Sequence, residues 1–276
     1  MNKKLLALYG LKWNPFAPDL PTEALCVSAP VENFCWRIEQ ALVREGGFAL
    51  ISGDPGTGKS VVLRLLAERL ARVREISVGA IAHPSSNLAD FYREMGDLFA
   101  VELKPHNRWG GFKVLRERWL AHLDSTLLRP VLLIDEAQEM HPAVLNELRL
   151  LASARFDSRT LLSVVLAGDG RLTLKLRRDE LLPLGSRIRT RLNMEYADRE
   201  QLLAALKHLQ TTAGNAHLMT PELMATLCDH AVGNYRVLTS MAAELLTNAA
   251  QQEITQLDEK LYLQVFGSPV PERKRA

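Results

Sequence analysis

Gly53-Asp54-Pro55-Gly56-Thr57-Gly58-Lys59-Ser60 is the stretch on which the reading of this chain turns. It satisfies the pattern G-x-x-x-x-G-K-[ST], in which glycines let backbone N–H groups turn inward around phosphate oxygens. An apolar run, Phe48–Ser52, leads into it, and Val61–Leu70 follows with apolar residues at helical spacing. The order is therefore strand, loop, helix. The following helix turns its positive end toward the phosphates, Lys59 reaches the β- and γ-phosphates, and Ser60 offers a hydroxyl to Mg²⁺. A glycine-rich turn with an accidental lysine is the alternative, and the flanking strand and helix weigh against it.

Downstream, Val131-Leu-Leu-Ile-Asp135-Glu136 supplies the partner motif. Asp135, at the end of a buried strand, suits Mg²⁺ held through water, and Glu136 suits the orientation of an attacking water. Further apolar runs at Ile76–Ile81 and Leu161–Ala167 read as strands, and Asn87–Phe99 and Pro142–Ala154 as helices. Gly110-Gly111 reads as a break before a helix through Leu115, Trp119 and Leu123. Strands alternating with helices imply an α/β fold with a parallel sheet covered on both faces.

After Tyr196 only helical patterns remain. Asp198 caps one through Leu209, Thr220-Pro221 starts another, and Thr255-Gln-Leu-Asp258 resembles a capping box. The expected organisation is an extended N-terminal arm over residues 1–30 that packs through Trp13, Phe16 and Leu20. An α/β nucleotide-binding domain follows over 31–196, a helical domain over 197–266, and a basic tail over 267–276.

Composition sets the limits. Apolar residues form 47% of the 276 and the net charge is +2, so a sizeable core is available and any nucleic-acid surface must be local. The three cysteines form no CxxC pair and the histidines show no ligand spacing, which argues against a disulfide framework or a structural metal. No uncharged apolar stretch reaches about 18 residues, so no membrane span is expected and a cytoplasmic protein is.

The ordered set of motifs resembles the AAA+ ATPases of the ExeA/TnsC/TniB group, to which the bacteriophage Mu target-selection ATPase is related. The resemblance runs from about residue 9 to 250. It is carried by Tyr9-Gly-Leu-Lys-Trp-Asn-Pro-Phe16, Gly46-Gly-Phe-Ala-Leu-Ile-Ser-Gly53, the phosphate loop and Asp135-Glu-Ala-Gln138. Val165-Leu-Ala-Gly168, Ser186-Arg-Ile188 and Gly233-Asn-Tyr-Arg236 complete it. It implies a P-loop sheet in order 5-1-4-3-2, a C-terminal helical lid, and ATP sites at the interfaces of a homo-oligomer. Asp169 falls at the position that senses the γ-phosphate, where relatives often carry an uncharged polar side chain. Arg187 matches the arginine finger, with Arg189 and Arg191 as nearby alternatives, and Arg236 matches the lid arginine that contacts nucleotide.

Between Lys104 and Arg129 basic residues outnumber acids; Lys104, Arg108 and Lys113 are candidate contacts to the DNA backbone, solvated helix faces being the alternative. Trp109 and Trp119 read as packing residues. The resemblance implies an ATPase that oligomerises on double-stranded DNA and regulates transposition, passing a target site to a transposase. The rival is an ExeA-type secretion ATPase. Such proteins continue into a membrane span and a periplasmic peptidoglycan-binding region, and the end at Ala276 favours the transposition type. A third reading is an ATP-dependent switch that binds only proteins.

Overall fold

A computed structural model describes residues 2–82, 84, 87–102, 107–155 and 158–267. The chain divides into two compact units, one of Val27–Glu195 and one of Met1–Cys26 with Tyr196–Ala276.

The first unit is built on five parallel strands: β1 (Gly47–Gly53), β2 (Ile76–Ile81), β3 (Arg129–Ile134), β4 (Ser163–Gly168) and β5 (Ile188–Met194). Their order across the sheet is β2-β3-β4-β1-β5, the order 5-1-4-3-2 expected from the resemblance. The central strands are apolar on both sides because both faces are covered. Phe48, Leu50, Leu132, Ile134, Val164 and Leu166 pack into one core with Phe91, Trp119 and Leu148. Ala49, Ile51, Val131, Leu133, Val165 and Ala167 pack into a second core with Phe34, Leu66 and Leu70. The edge strand β5 differs: Ile188, Thr190 and Leu192 are buried, whereas Arg189, Arg191 and Asn193 alternate outward. Charge on the outward positions suits an edge.

Two sequence expectations change here. Gly110 and Gly111 do not break the chain; they lie inside the helix Arg108–Ala121, whose N-cap Asn107 accepts from the Gly110 N–H at 2.9 Å. A Cβ on Gly111 would stand 2.8 Å from Tyr92 Cδ1, so glycine here admits a neighbouring helix rather than ending its own. The helix from Pro142 stops at Leu151, and Ser153–Ala154 pairs with Arg159–Thr160 as a short antiparallel ribbon.

The second unit is helical: Arg199–Ala213, Pro221–Ala231, Tyr235–Gln251 and Glu259–Phe266, around a core that includes Leu206, Leu223, Leu238 and Leu246. Asp198 with Gln201 forms a full capping box, and Thr220 accepts from the Leu223 N–H. Thr255 caps nothing. Leu257 instead bridges Met219, its N–H donating to Leu218 at 2.9 Å, which pushes the helix start on to Asp258 as N-cap. The N-terminal residues fold into this unit, and they begin not as an extended arm but as the helix Asn2–Tyr9. Leu5 and Tyr9, one turn apart on one face, are both buried, and the Tyr9 hydroxyl donates to the Ile254 carbonyl at 2.7 Å.

Candidate nucleotide site

β1 ends at Gly53 because nothing larger fits: a Cβ there would stand 2.4 Å from the Met194 carbonyl oxygen and 2.9 Å from Thr57 Oγ1. The loop then closes on itself. The Thr57 hydroxyl donates to the Asp54 carbonyl at 2.8 Å, and Gly56 and Gly58 take φ of +87° and +102°, a region that costs other residues strain. Pro55 and Asp54 are exposed at the tip. The helix Lys59–Ala71 starts immediately, with Gly58 as N-cap and no capping side chain, so its first N–H groups meet no side-chain acceptor there. Such an end is a ready anion site.

Lys59 is 6% exposed, and its Nζ donates to the Gly53 and Asp54 carbonyls at 2.8 and 3.1 Å. The ammonium is thus held inside the concavity. Ser60, beside it, is exposed.

All five strands run parallel and β4 alone separates β1 from β3, so the loop and the two acids emerge at the same edge of the sheet. The Asp135 N–H donates to Ile81 at 2.9 Å, tying the end of β3 to that of β2. The Asp135 Oδ1 accepts from the Glu136 N–H at 2.9 Å. Glu136 has φ +49° and ψ +37°, a left-handed conformation that costs a non-glycine residue on the order of 1 kcal/mol and is found where a side chain must be aimed. Ser60 and Asp135 offer hard oxygen donors, the kind Mg²⁺ takes.

Asp169, at the end of β4, caps the helix Gly170–Leu176 by accepting from the Arg171 N–H at 2.8 Å, and it pairs with the Arg171 guanidinium at 2.8 Å. Those hydrogen bonds hold its carboxyl below the usual range. An ionised carboxylate only accepts, so the donor at this strand end is Arg171, which also pairs with Glu139 at 2.9 Å.

Arg187, half-buried just ahead of β5, donates to the Pro183 carbonyl at 2.6 Å. Arg189 and Arg191 are exposed; Arg189 pairs with Glu45 at 3.1 Å and Arg191 donates to Gly185 at 3.2 Å. Arg236 lies exposed in the first turn of Tyr235–Gln251, in the helical unit.

Several members of the basic cluster are engaged by acceptors of the protein itself. Arg108 pairs with Glu147 at 2.5 Å, and Glu147, only 2% exposed, also accepts from the Tyr92 hydroxyl at 2.5 Å. Burial and that bond push the Tyr92 phenol up from its ordinary value. Arg116 donates to the Leu150 and Ser153 carbonyls, and Arg129 to that of Arg44. Lys113 is exposed, with Glu117 at 3.8 Å. Lys104 lies outside the described residues. Trp119 is core, but Trp109 is 72% exposed and stacks on Phe112 with ring centroids 6.1 Å apart, which differs from the packing role expected.

Sequence reasoning assigned no role to Gln138, Arg171, Lys175 or Glu147. Gln138 and Lys175 both bear on the Glu136 turn; Gln138 closes the Asp135-Glu-Ala-Gln138 motif but has no role assigned there, and no spacing rule singles out Lys175. Among the described residues no cluster of three or more His, Cys, Asp or Glu side chains forms a metal site, and no helix is long and apolar enough to cross a membrane.

Residues 43–176 match the family model described as an AAA domain. That stretch is just under half of the chain. Beyond it, the chain is 32% identical over 223 residues to general secretion pathway protein A of Aeromonas hydrophila. That match covers 79% of this chain, and the chain spans only 40% of the relative's length. Among solved structures, Aeropyrum pernix ORC2 in its ADPNP-ADP complexes superposes with a TM-score of 0.73 at 14% identity, covering 91% of this chain and 70% of that one. Aeropyrum pernix ORC1 in complex with DNA gives 0.64 at 18%, covering 90% and 67%. At these identities the likeness shows the fold alone, an α/β fold with a parallel five-stranded sheet and a C-terminal helical region.

Proposed function

We propose that this chain is an ATPase that binds ATP with Mg²⁺ at Gly53–Ser60 and hydrolyses it. The observation that carries the reading is Lys59, a buried ammonium held inside a glycine loop whose sheet edge also bears Asp135 and Glu136. The loop N–H groups and the bare helix start take the phosphates, and Lys59 turns toward the β- and γ-phosphates. Ser60 and Asp135 would hold Mg²⁺, which would neutralise phosphate charge. Glu136 takes the proton side of the attacking water and orients it for attack. Asp169 acts through Arg171, whose guanidinium is the group at that strand end able to meet a γ-phosphate oxygen. Arg187 serves the ATP of a neighbouring copy, which requires a homo-oligomer, and Arg236 contacts the bound nucleotide; both roles rest on the resemblance.

For the process, duplex DNA as the assembly platform, in the regulation of transposition, is the first reading. It is supported by the motif resemblance, by the likeness to an ORC1 solved with DNA, and by Lys113 and Arg118 exposed on the helix Arg108–Ala121. The secretion reading is favoured by the relative from Aeromonas hydrophila. Filter retention of duplex DNA with and without a non-hydrolysable ATP analogue separates them. ATP-stimulated retention that weakens steeply with salt is the result expected of the first. Retention that ATP does not stimulate defeats the transposition reading and leaves the secretion ATPase or the protein-binding switch.

A further inference from the structure

Gln138 is an uncharged polar side chain, 4% exposed, wedged between the ends of β3 and β4. Its Oε1 accepts from the Asp169 N–H at 3.3 Å, and its Nε2 donates to Glu136 Oε2. The two bonds fix which end of the amide is which, since an N–H needs an acceptor and a carboxylate needs a donor. Gly168 leaves the space: a Cβ there would stand 2.5 Å from Gln138 Oε1. Lys175, from the helix that Asp169 caps, donates to the Gln138 and Met140 carbonyls and so clamps the backbone of the same turn. Burial lowers the Lys175 pKa, as fits an ammonium held against carbonyls away from water.

We infer that Gln138 is a positioning residue for hydrolysis: it fixes the Glu136 carboxylate through one oxygen, leaves the other to take the water, and ties that aim to the backbone at the end of β4. The inference rests on the proposed role of Glu136. The left-handed backbone of Glu136 is a strained conformation that persists only where its surroundings hold it, and the Gln138 bond is one such contact. The tether also means that any shift of Asp169 on meeting the γ-phosphate reaches Glu136 through a single amide.

The test uses the full chain and two variants. Gln138→Ala removes both bonds. Gln138→Met keeps the side-chain length and adds no charge but offers Glu136 no donor, and so covers the case in which the alanine variant folds poorly. Each is made in the wild-type and in the Glu136→Gln background, with kcat and the dissociation constant for an ATP analogue measured. Misaiming a group that orients a reactant costs roughly 10–100-fold. We expect that loss in kcat with analogue affinity unchanged, and no further loss in the Glu136→Gln background, since a residue acting through Glu136 has nothing left to aim. A merely structural residue would cut both backgrounds equally, and that result, or wild-type kcat in both variants, overturns the inference while leaving the ATPase reading intact. Equal turnover by the wild type and Glu136→Gln instead removes Glu136 from catalysis, and the role of Gln138 goes with it.

Discussion

Replacing Arg108 by alanine separates a structural arginine from a DNA contact. The perturbation leaves Glu147, 2% exposed, with the Tyr92 hydroxyl as its remaining described partner. Removing one member of a fully buried pair costs about 3–5 kcal/mol. The Arg108 side chain is 57% exposed, so water screens much of the interaction, and about 1–2 kcal/mol is expected. In a domain of this size that lowers Tm by roughly 2–8 °C. Thermal denaturation of Arg108→Ala measures it, and Glu147→Gln added to Arg108→Ala should recover part of the loss because the stranded charge is gone. The same protein, titrated with duplex DNA at several salt concentrations, should keep its salt slope. An unchanged Tm with a slope smaller by about 0.9 would refute the structural role and make Arg108 a phosphate contact.

Asp169 gives a pH dependence. Its carboxyl is depressed by the Arg171 hydrogen bonds, so its stabilisation is complete above the ordinary carboxylate pKa near 4 and is lost as pH falls through the lower folded value. The stability gap between wild type and Asp169→Asn, measured by denaturant unfolding, should be constant near neutrality and close below about pH 4; a gap unchanged down to pH 2 contradicts it. Arg187→Ala should bind ATP normally and hydrolyse it poorly, yet regain activity when mixed with Lys59→Ala, since a finger supplied in trans is worth about 10³–10⁵ in rate. Full activity of Arg187→Ala alone passes the role to Arg189 or Arg191.

The sheet was legible because burial on both faces leaves an unbroken apolar run, as at Phe48–Ile51 and Val131–Ile134, and the loop because phosphate binding demands glycines at fixed offsets. What misled was local chemistry overridden at long range. Gly110-Gly111 reads as a break until Tyr92 is seen against Gly111. Thr255 reads as a cap until Leu257 is seen bridging Met219. Arg108 reads as free charge until a buried acid 39 residues away claims it. Gln138 carries no periodicity at all; its partners come together only when β3 and β4 pair.

The central claim is that Lys59 and Glu136 divide binding from hydrolysis at one site. Analogue binding and phosphate release, measured side by side on wild type, Lys59→Ala and Glu136→Gln, test it most directly. The account predicts that Lys59→Ala binds no nucleotide, because a compact positive charge is lost from a buried concavity, and that Glu136→Gln binds ATP as the wild type does but releases phosphate far more slowly. Undiminished nucleotide binding by Lys59→Ala, or wild-type phosphate release by Glu136→Gln, would contradict it.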